Sequence, residues 1–159
     1  LAQPTEWNHD VELPWHLLDD PGHAGVSRWV AWLNRLHRYE PALHQQDTDP
    51  AGFSWIDNSD AGSSVLAWIR WPEDRLATRP VVVVANLTPT PRWGYRIGAP
   101  CLGRWEELGN SDHAEFGGSG LGNPDGLDAV GAPSHGQPCA LDLVLAPLSV
   151  AFYAPVGNS

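Results

Sequence analysis

Five consecutive residues, Glu6-Trp7-Asn8-His9-Asp10, form the densest cluster of chemistry-bearing side chains in the chain. Two carboxylates, an indole, an amide and an imidazole can line a sugar site. Carboxylates and amides exchange hydrogen bonds with vicinal hydroxyls, and the flat indole face stacks on a pyranose ring. The same residues equally suit a polar loop whose side chains cap their own backbone, and at this level both readings stand. A metal site at His9 and Asp10 needs further ligands. The nearby candidates, His16 and His23, fall at no standard zinc spacing. No GxSxG elbow occurs: Gly118-Ser119-Gly120 has the small residues without a strand–turn–helix frame. The run Gly117 to Gly122 lacks the Lys and Ser/Thr of a phosphate loop. His135, in Ser134-His135-Gly136, reads as a loop hydrogen-bonder. Glycoside chemistry needs two carboxylates a few ångströms apart, one raised in pKa. Among 19 Asp and Glu residues, none sits in a motif that singles out such a pair. The residues therefore predict no catalytic set, no metal site and no cofactor within the chain.

Composition narrows the partners. Nine Lys and Arg against 19 Asp and Glu leave a net charge of −10. Such a chain has no counterion-releasing surface for nucleic acid and no basic patch for an anionic membrane. Nine Trp residues against three Tyr and three Phe are unusual, and serve either core packing or sugar stacking. Cys101 and Cys139 carry no metal spacing, and the sequence leaves open whether they pair or stay reduced. No segment is long and apolar enough to span a membrane, and the start lacks the pattern of a secretory signal. The sequence contains no Met, so it reads as beginning in mid-pattern, as a fragment or processed product would.

The elements that would position these residues change character along the chain. Residues 1–24 read as loop, punctuated by Pro4, Pro14, Pro21 and Gly22, with a helical turn near His16 to Asp19. Residues 25–39 are the one strong helix. Val26, Trp29, Val30, Leu33, Leu36 and His37 recur on one face at the 3.6-residue period, and Pro41 stops it. A second helical turn over Pro41 to Gln46 and a turn over Asp47 to Gly52 follow. From residue 53 the period is two. Strands are expected at Ser64 to Trp71, Pro80 to Leu87, Trp93 to Ile97, Arg104 to Leu108, Ala140 to Ala146 and Leu148 to Ala154, the last two being either separate or one strand broken at Pro147. The unbroken run Val81 to Val84 suits a strand covered on both faces. The Gly-rich stretch 116–136 reads as a long loop of the functional or mobile kind. Short strands separated by turns predict an antiparallel sandwich.

Several segments, in order, resemble the C-terminal end of bacterial glycogen branching enzymes of the α-amylase superfamily (glycoside hydrolase family 13). Gln3 with Glu6-Trp7-Asn8-His9-Asp10 looks like the loop after the last barrel strand, and Leu13-Pro14-Trp15-His16-Leu17-Leu18 follows at the family's spacing. The helix with Leu33-Asn34, and Asp49-Pro50-Ala51-Gly52-Phe53-Ser54-Trp55-Ile56, continue the match. Ala85-Asn86-Leu87-Thr88-Pro89-Thr90-Pro91-Arg92 is similar to the family's N-F-T-P-V-P-R strand end. Trp105-Glu106-Glu107-Leu108-Gly109-Asn110-Ser111-Asp112 resembles its W-x-E-x-x-N-T-D stretch, with Ser for Thr. Ser134-His135-Gly136 and Leu143 to Pro147 complete it.

The resemblance implies a mainly β fold: an antiparallel β-sandwich, the α-amylase C-terminal all-beta domain, preceded by a loop and one or two helices from the end of a TIM barrel. It divides the chain into residues 1–46, the last loop and helix of the catalytic barrel, and residues 47–159, the sandwich. Family members cleave α-1,4-glucan and rejoin it through an α-1,6 bond by a retaining mechanism. Their catalytic carboxylates lie on earlier barrel strands, upstream of residue 1, and a barrel needs roughly 250 residues. This chain is therefore expected to be non-catalytic by itself, supporting the barrel and open to a role in glucan binding, in a cytoplasmic enzyme. Its implied partners are α-glucan (glycogen or amylose) and the missing barrel, and its implied substrate-facing residues are Trp7 and Asn8. The apolar helix face, Trp29 included, is expected to be partly exposed or covered by a neighbouring chain. The alternative is a stand-alone carbohydrate-binding or structural sandwich. The Glu6 to Asp10 loop and the amphipathic helix, which such a module has no need of, favour the enzyme piece.

Overall fold

The computed structural model describes residues 8–157. A 3₁₀ turn at Trp15–Asp19 leads into helix α1, Pro21–Tyr39. The helix begins four residues earlier than its periodicity indicates, because a local cap fixes the start. The Asp20 side chain accepts hydrogen bonds from the Gly22 and His23 N–H groups, and Pro21 occupies the first turn, where its missing donor costs nothing. At the other end His37 and Arg38 lie in the last turn, the favourable end of the helix dipole for positive charge. Pro41 opens a 3₁₀ turn over Pro41–Leu43, and a further turn over Pro50–Gly52 is capped by Asp49.

Eight strands follow: β1 Phe53–Asp57, β2 Val65–Arg70, β3 Val81–Asn86, β4 Arg92–Ala99, β5 Gly103–Asn110, β6 Leu127–Ala129, β7 Cys139–Leu145 and β8 Ser149–Pro155. Six form one sheet in the order β1-β2-β3-β8-β5-β6, and β4 with β7 forms a second, all neighbours antiparallel. The main core lies between the sheets. Ile69, Val82, Val84, Trp105 and Tyr153 from one sheet meet Ile97, Leu141 and Leu143 from the other. The last two predicted strands are separate, joined by a turn in which Leu148 takes the left-handed conformation at φ 47°.

A third layer explains the run of valines. Val82 and Val84 face the second sheet, whereas Val81 and Val83 join Ala42 in a cluster on the opposite face, with Leu43, Trp68, Leu108 and Phe152 around it. Helix α1 covers that face. The indoles of Trp29 and Trp32 stack with centroids 5.0 Å apart and planes 4° off parallel, and Trp29 meets Phe116 edge-on at 4.9 Å. Two glycines permit this close seating. A Cβ on Gly25 would collide with the Phe116 carbonyl, and one on Gly109 would fall inside the Trp32 ring. The seated face runs Gly25, Trp29, Trp32 and Leu36. Val26, Val30 and His37 of the periodic set lie beside it and are exposed. Trp29 is half-buried, against Trp32, Phe116 and Phe152, and so stays partly exposed, while Val26 and Val30 are the more open part of the apolar face.

The stretch 116–136 is more ordered than a loop reading implies. It contains β6, paired to β5, and it is pinned by Asn123, which is buried. The Asn123 amide donates to the Val144 carbonyl (2.9 Å) and accepts from the Val144 N–H (2.9 Å), replacing a missing strand neighbour on β7. Its backbone N–H donates to Glu107 (2.8 Å).

Candidate functional site

Of the two residues expected to face substrate, Trp7 lies outside the described residues. Asn8 is exposed, and its Oδ1 accepts the Asp10 N–H at 3.0 Å. His9 Nε2 stands 3.4 Å from Asp10 Oδ1, both side chains largely in water. This part of the pentad thus makes the backbone-capping contacts of a polar turn. His23 contributes its backbone N–H to the helix cap, and no group of three His, Cys, Asp or Glu able to hold a metal occurs among the described residues. The thiols of Cys101 and Cys139 are free, and burial pushes the Cys101 thiol up in pKa.

His135 is less isolated than its sequence neighbourhood indicates. It occupies a two-residue turn at φ 49°. Its Nδ1 lies 2.8 Å from Ser134 Oγ, and its Nε2 lies 3.5 Å from Asp57 Oδ2. The backbone N–H of Ser59 holds the Asp57 carboxyl below the ordinary range, against the opposing effect of burial. Tyr95 donates to Asp60 at 2.7 Å. Burial first, and then that bond, raise the phenol. These contacts tie the β1–β2 loop and the 134–137 turn to the sandwich.

Three surface features stand out among the described residues. The first is a groove of about 640 Å³ on the outer side of α1, lined by Trp15, Leu18, His23, Val26, Val30 and Asn34. Val26 and Val30 are 61% and 50% exposed. The second is a cleft of similar size beside the helix C-terminus. There the Arg79 guanidinium bridges Glu40 and Glu106, each at 2.6 Å, and Arg75 lies 4.3 Å over the Trp71 ring. With Arg79 between them, these two carboxylates form an ion-pair bridge.

The third is aromatic. On the outer face of β1 and β2, Phe53 meets Trp55 edge-on at 5.0 Å, and Trp55 meets Trp68 at 6.2 Å. Trp55 is 48% exposed. Sequence reading misses this triad, although the i, i+2 spacing of Phe53 and Trp55, next to buried Ile56, carries the signal of a strand with an aromatic outer face.

The strands span Phe53 to Pro155, and the family model described as "Alpha amylase, C-terminal all-beta domain" matches residues 55–156. Over 155 residues the chain is 53% identical to the 1,4-alpha-glucan branching enzyme GlgB of Cereibacter sphaeroides, and equally to that of Pseudomonas putida. Over 157 residues it is 50% identical to GlgB 1 of Xanthomonas euvesicatoria. These alignments cover 98–99% of the chain and 21% of each relative, so the chain spans about a fifth of the length of the curated relatives it matches. Similarity of this extent, laid over a six-on-two antiparallel sandwich, places the chain in the alpha-amylase C-terminal all-beta domain family.

Proposed function

We propose that the chain is the C-terminal part of a 1,4-α-glucan branching enzyme, which forms α-1,6 branches in glycogen by retaining glucanotransfer in the cytoplasm. Residues 1–46 are the last loop and helix of the catalytic barrel, and 47–159 are the sandwich that supports it. Trp7 and Asn8 contact the glucan beside the active site, and the catalytic carboxylates belong to the rest of the enzyme. The observation that carries this reading is the identity of about half over nearly the whole chain, leading segment included. A free-standing sandwich has no use for the groove of Trp15, Leu18, Val26 and Val30; a barrel helix does, because its outer stripe packs on its neighbours.

The test is iodine-stained amylose. Incubation with this chain alone leaves the absorbance unchanged, whereas the full-length enzyme lowers it. Branching by the isolated chain would overturn the assignment of the chemistry upstream. The Phe53–Trp55–Trp68 triad favours a second reading, a carbohydrate-binding module, in which the exposed indole stacks on sugar. Retardation of the chain on an amylose column, weakened by Trp55→Ala, supports that role; retardation that Trp55→Ala leaves unchanged removes the triad from it.

A further inference from the structure

The opposite side of the sandwich carries a second indole that the fold itself does not use. Trp93 is 69% exposed and stacks with no other aromatic ring among the described residues. Its position is set by a bulge. Between the pairs Arg92↔Leu145 and Tyr95↔Leu143, three steps on β4 oppose two on β7, so one residue is extra. Bulges re-aim side chains, and this one places Gly94 at φ +61°, in the left-handed region that favours glycine, with open space above it. Tyr95, Ile97, Leu143 and Leu145 turn inward to the core, leaving Arg96 and Asp142 on the outer face. They stand opposite each other and form a forked pair, Nε to Oδ1 at 2.8 Å and a terminal nitrogen to Oδ2 at 2.7 Å.

A projecting indole and a planar guanidinium–carboxylate fork therefore lie roughly 10 Å apart along one strand by its rise per residue. The fork retains donors and lone pairs for vicinal hydroxyls, and its two charges cancel. On a chain of net charge −10 that combination suits an uncharged polyhydroxylated ligand and disfavours a phosphorylated one. We infer that the outer face of the β4–β7 sheet is a sugar-binding surface. One glucosyl ring of an α-1,4-glucan stacks on Trp93, and the adjoining rings hydrogen-bond to the Arg96–Asp142 fork. The identity of the glucan rests on the branching-enzyme reading; the location rests on the bulge, the indole and the fork. The surface is separate from the Trp55 triad, which lies on the other sheet, so the two can engage different chains or distant parts of one.

The probe is maltoheptaose, titrated into the whole 159-residue chain while the tryptophan indole N–H resonances are followed by NMR. The Trp93 signal is assigned by its loss in Trp93→Ala. It is expected to shift saturably with maltoheptaose and to stay still with cellohexaose. Trp93→Ala should weaken the binding seen at the fork's Arg96 resonances by about tenfold, equivalent to about 1.4 kcal/mol, with the fold intact. Asp142→Asn, which unpairs the fork, should weaken it less. A Trp93 resonance unmoved by maltoheptaose, or moved equally by cellohexaose, overturns the proposal. Either result leaves the branching-enzyme reading standing, since that reading fails only in the amylose assay.

Discussion

Asp20 shows how much one side chain decides. By accepting from two helix N–H groups it starts α1 at Pro21, before the periodic apolar residues begin. Asp20→Ala should lower stability by about 1 kcal/mol, and Asp20→Asn should restore most of it, as read by urea denaturation. Acid should act through Asp57 and Asp60, both held below the ordinary value of 3.8, the first by the Ser59 backbone N–H and the second by the Tyr95 hydroxyl. A depressed folded-state pKa contributes stability that is present above the unfolded value and lost as pH falls through the folded one. Stability should therefore decline below about pH 4. Asp57→Asn should flatten part of that decline. A stability curve for the variant parallel to the parent's between about pH 4 and 2 would remove Asp57 from the account. At this scale the chain's local patterns guide only in part. The capping role of Asn8 is one of the two readings open to its pentad. The partners of His135 and Asn123, by contrast, come from far along the chain, and no local pattern announces them.

At the scale of elements, helix and sheet meet through two places without side chains. Gly109→Ala would drive a methyl into the Trp32 ring, and the helix must lift or the indole must leave its stack on Trp29. Overpacking of this kind costs about 1–3 kcal/mol. The expected signature is a loss of near-ultraviolet circular dichroism from the stacked indoles together with a lower urea midpoint. An unchanged spectrum would show that the interface yields elsewhere. Helix α1 and the longer strands from β2 onward are legible in the sequence, because period 3.6 and period 2 are properties of neighbouring residues. The direction the helix faces is not. Its apolar residues cover more than one stripe, and only the sheet beneath selects Gly25, Trp29, Trp32 and Leu36 for burial. Strand β6 is three residues long and owes its existence to pairing with β5.

For the whole molecule, the groove of Trp15, Leu18, Val26 and Val30 leaves an apolar face in water, of the kind that marks a contact surface. The chain alone should self-associate with rising concentration. Val26→Lys with Val30→Glu should suppress this without unfolding the sandwich, since both side chains point away from the core. Sedimentation velocity measures it; a parent chain that stays monomeric at high concentration would count against the face being sticky. In the proposed full-length enzyme, where the barrel covers this face, the same pair of substitutions should instead lower the thermal midpoint.

Fold class, the single long helix, most of the strands and the lack of a catalytic motif are all dictated by the order of residues alone, because each rests on local periodicity, composition or spacing. Three outcomes belong to the tertiary structure: which helix stripe is buried, how Asn123 pins the Gly-rich stretch, and which of the eight tryptophans among the described residues reach solvent. They depend on residues distant in the chain meeting across a sheet. The sandwich buries Trp105 and exposes Trp55 and Trp93 according to strand register and one bulge, and register is settled only when strands pair.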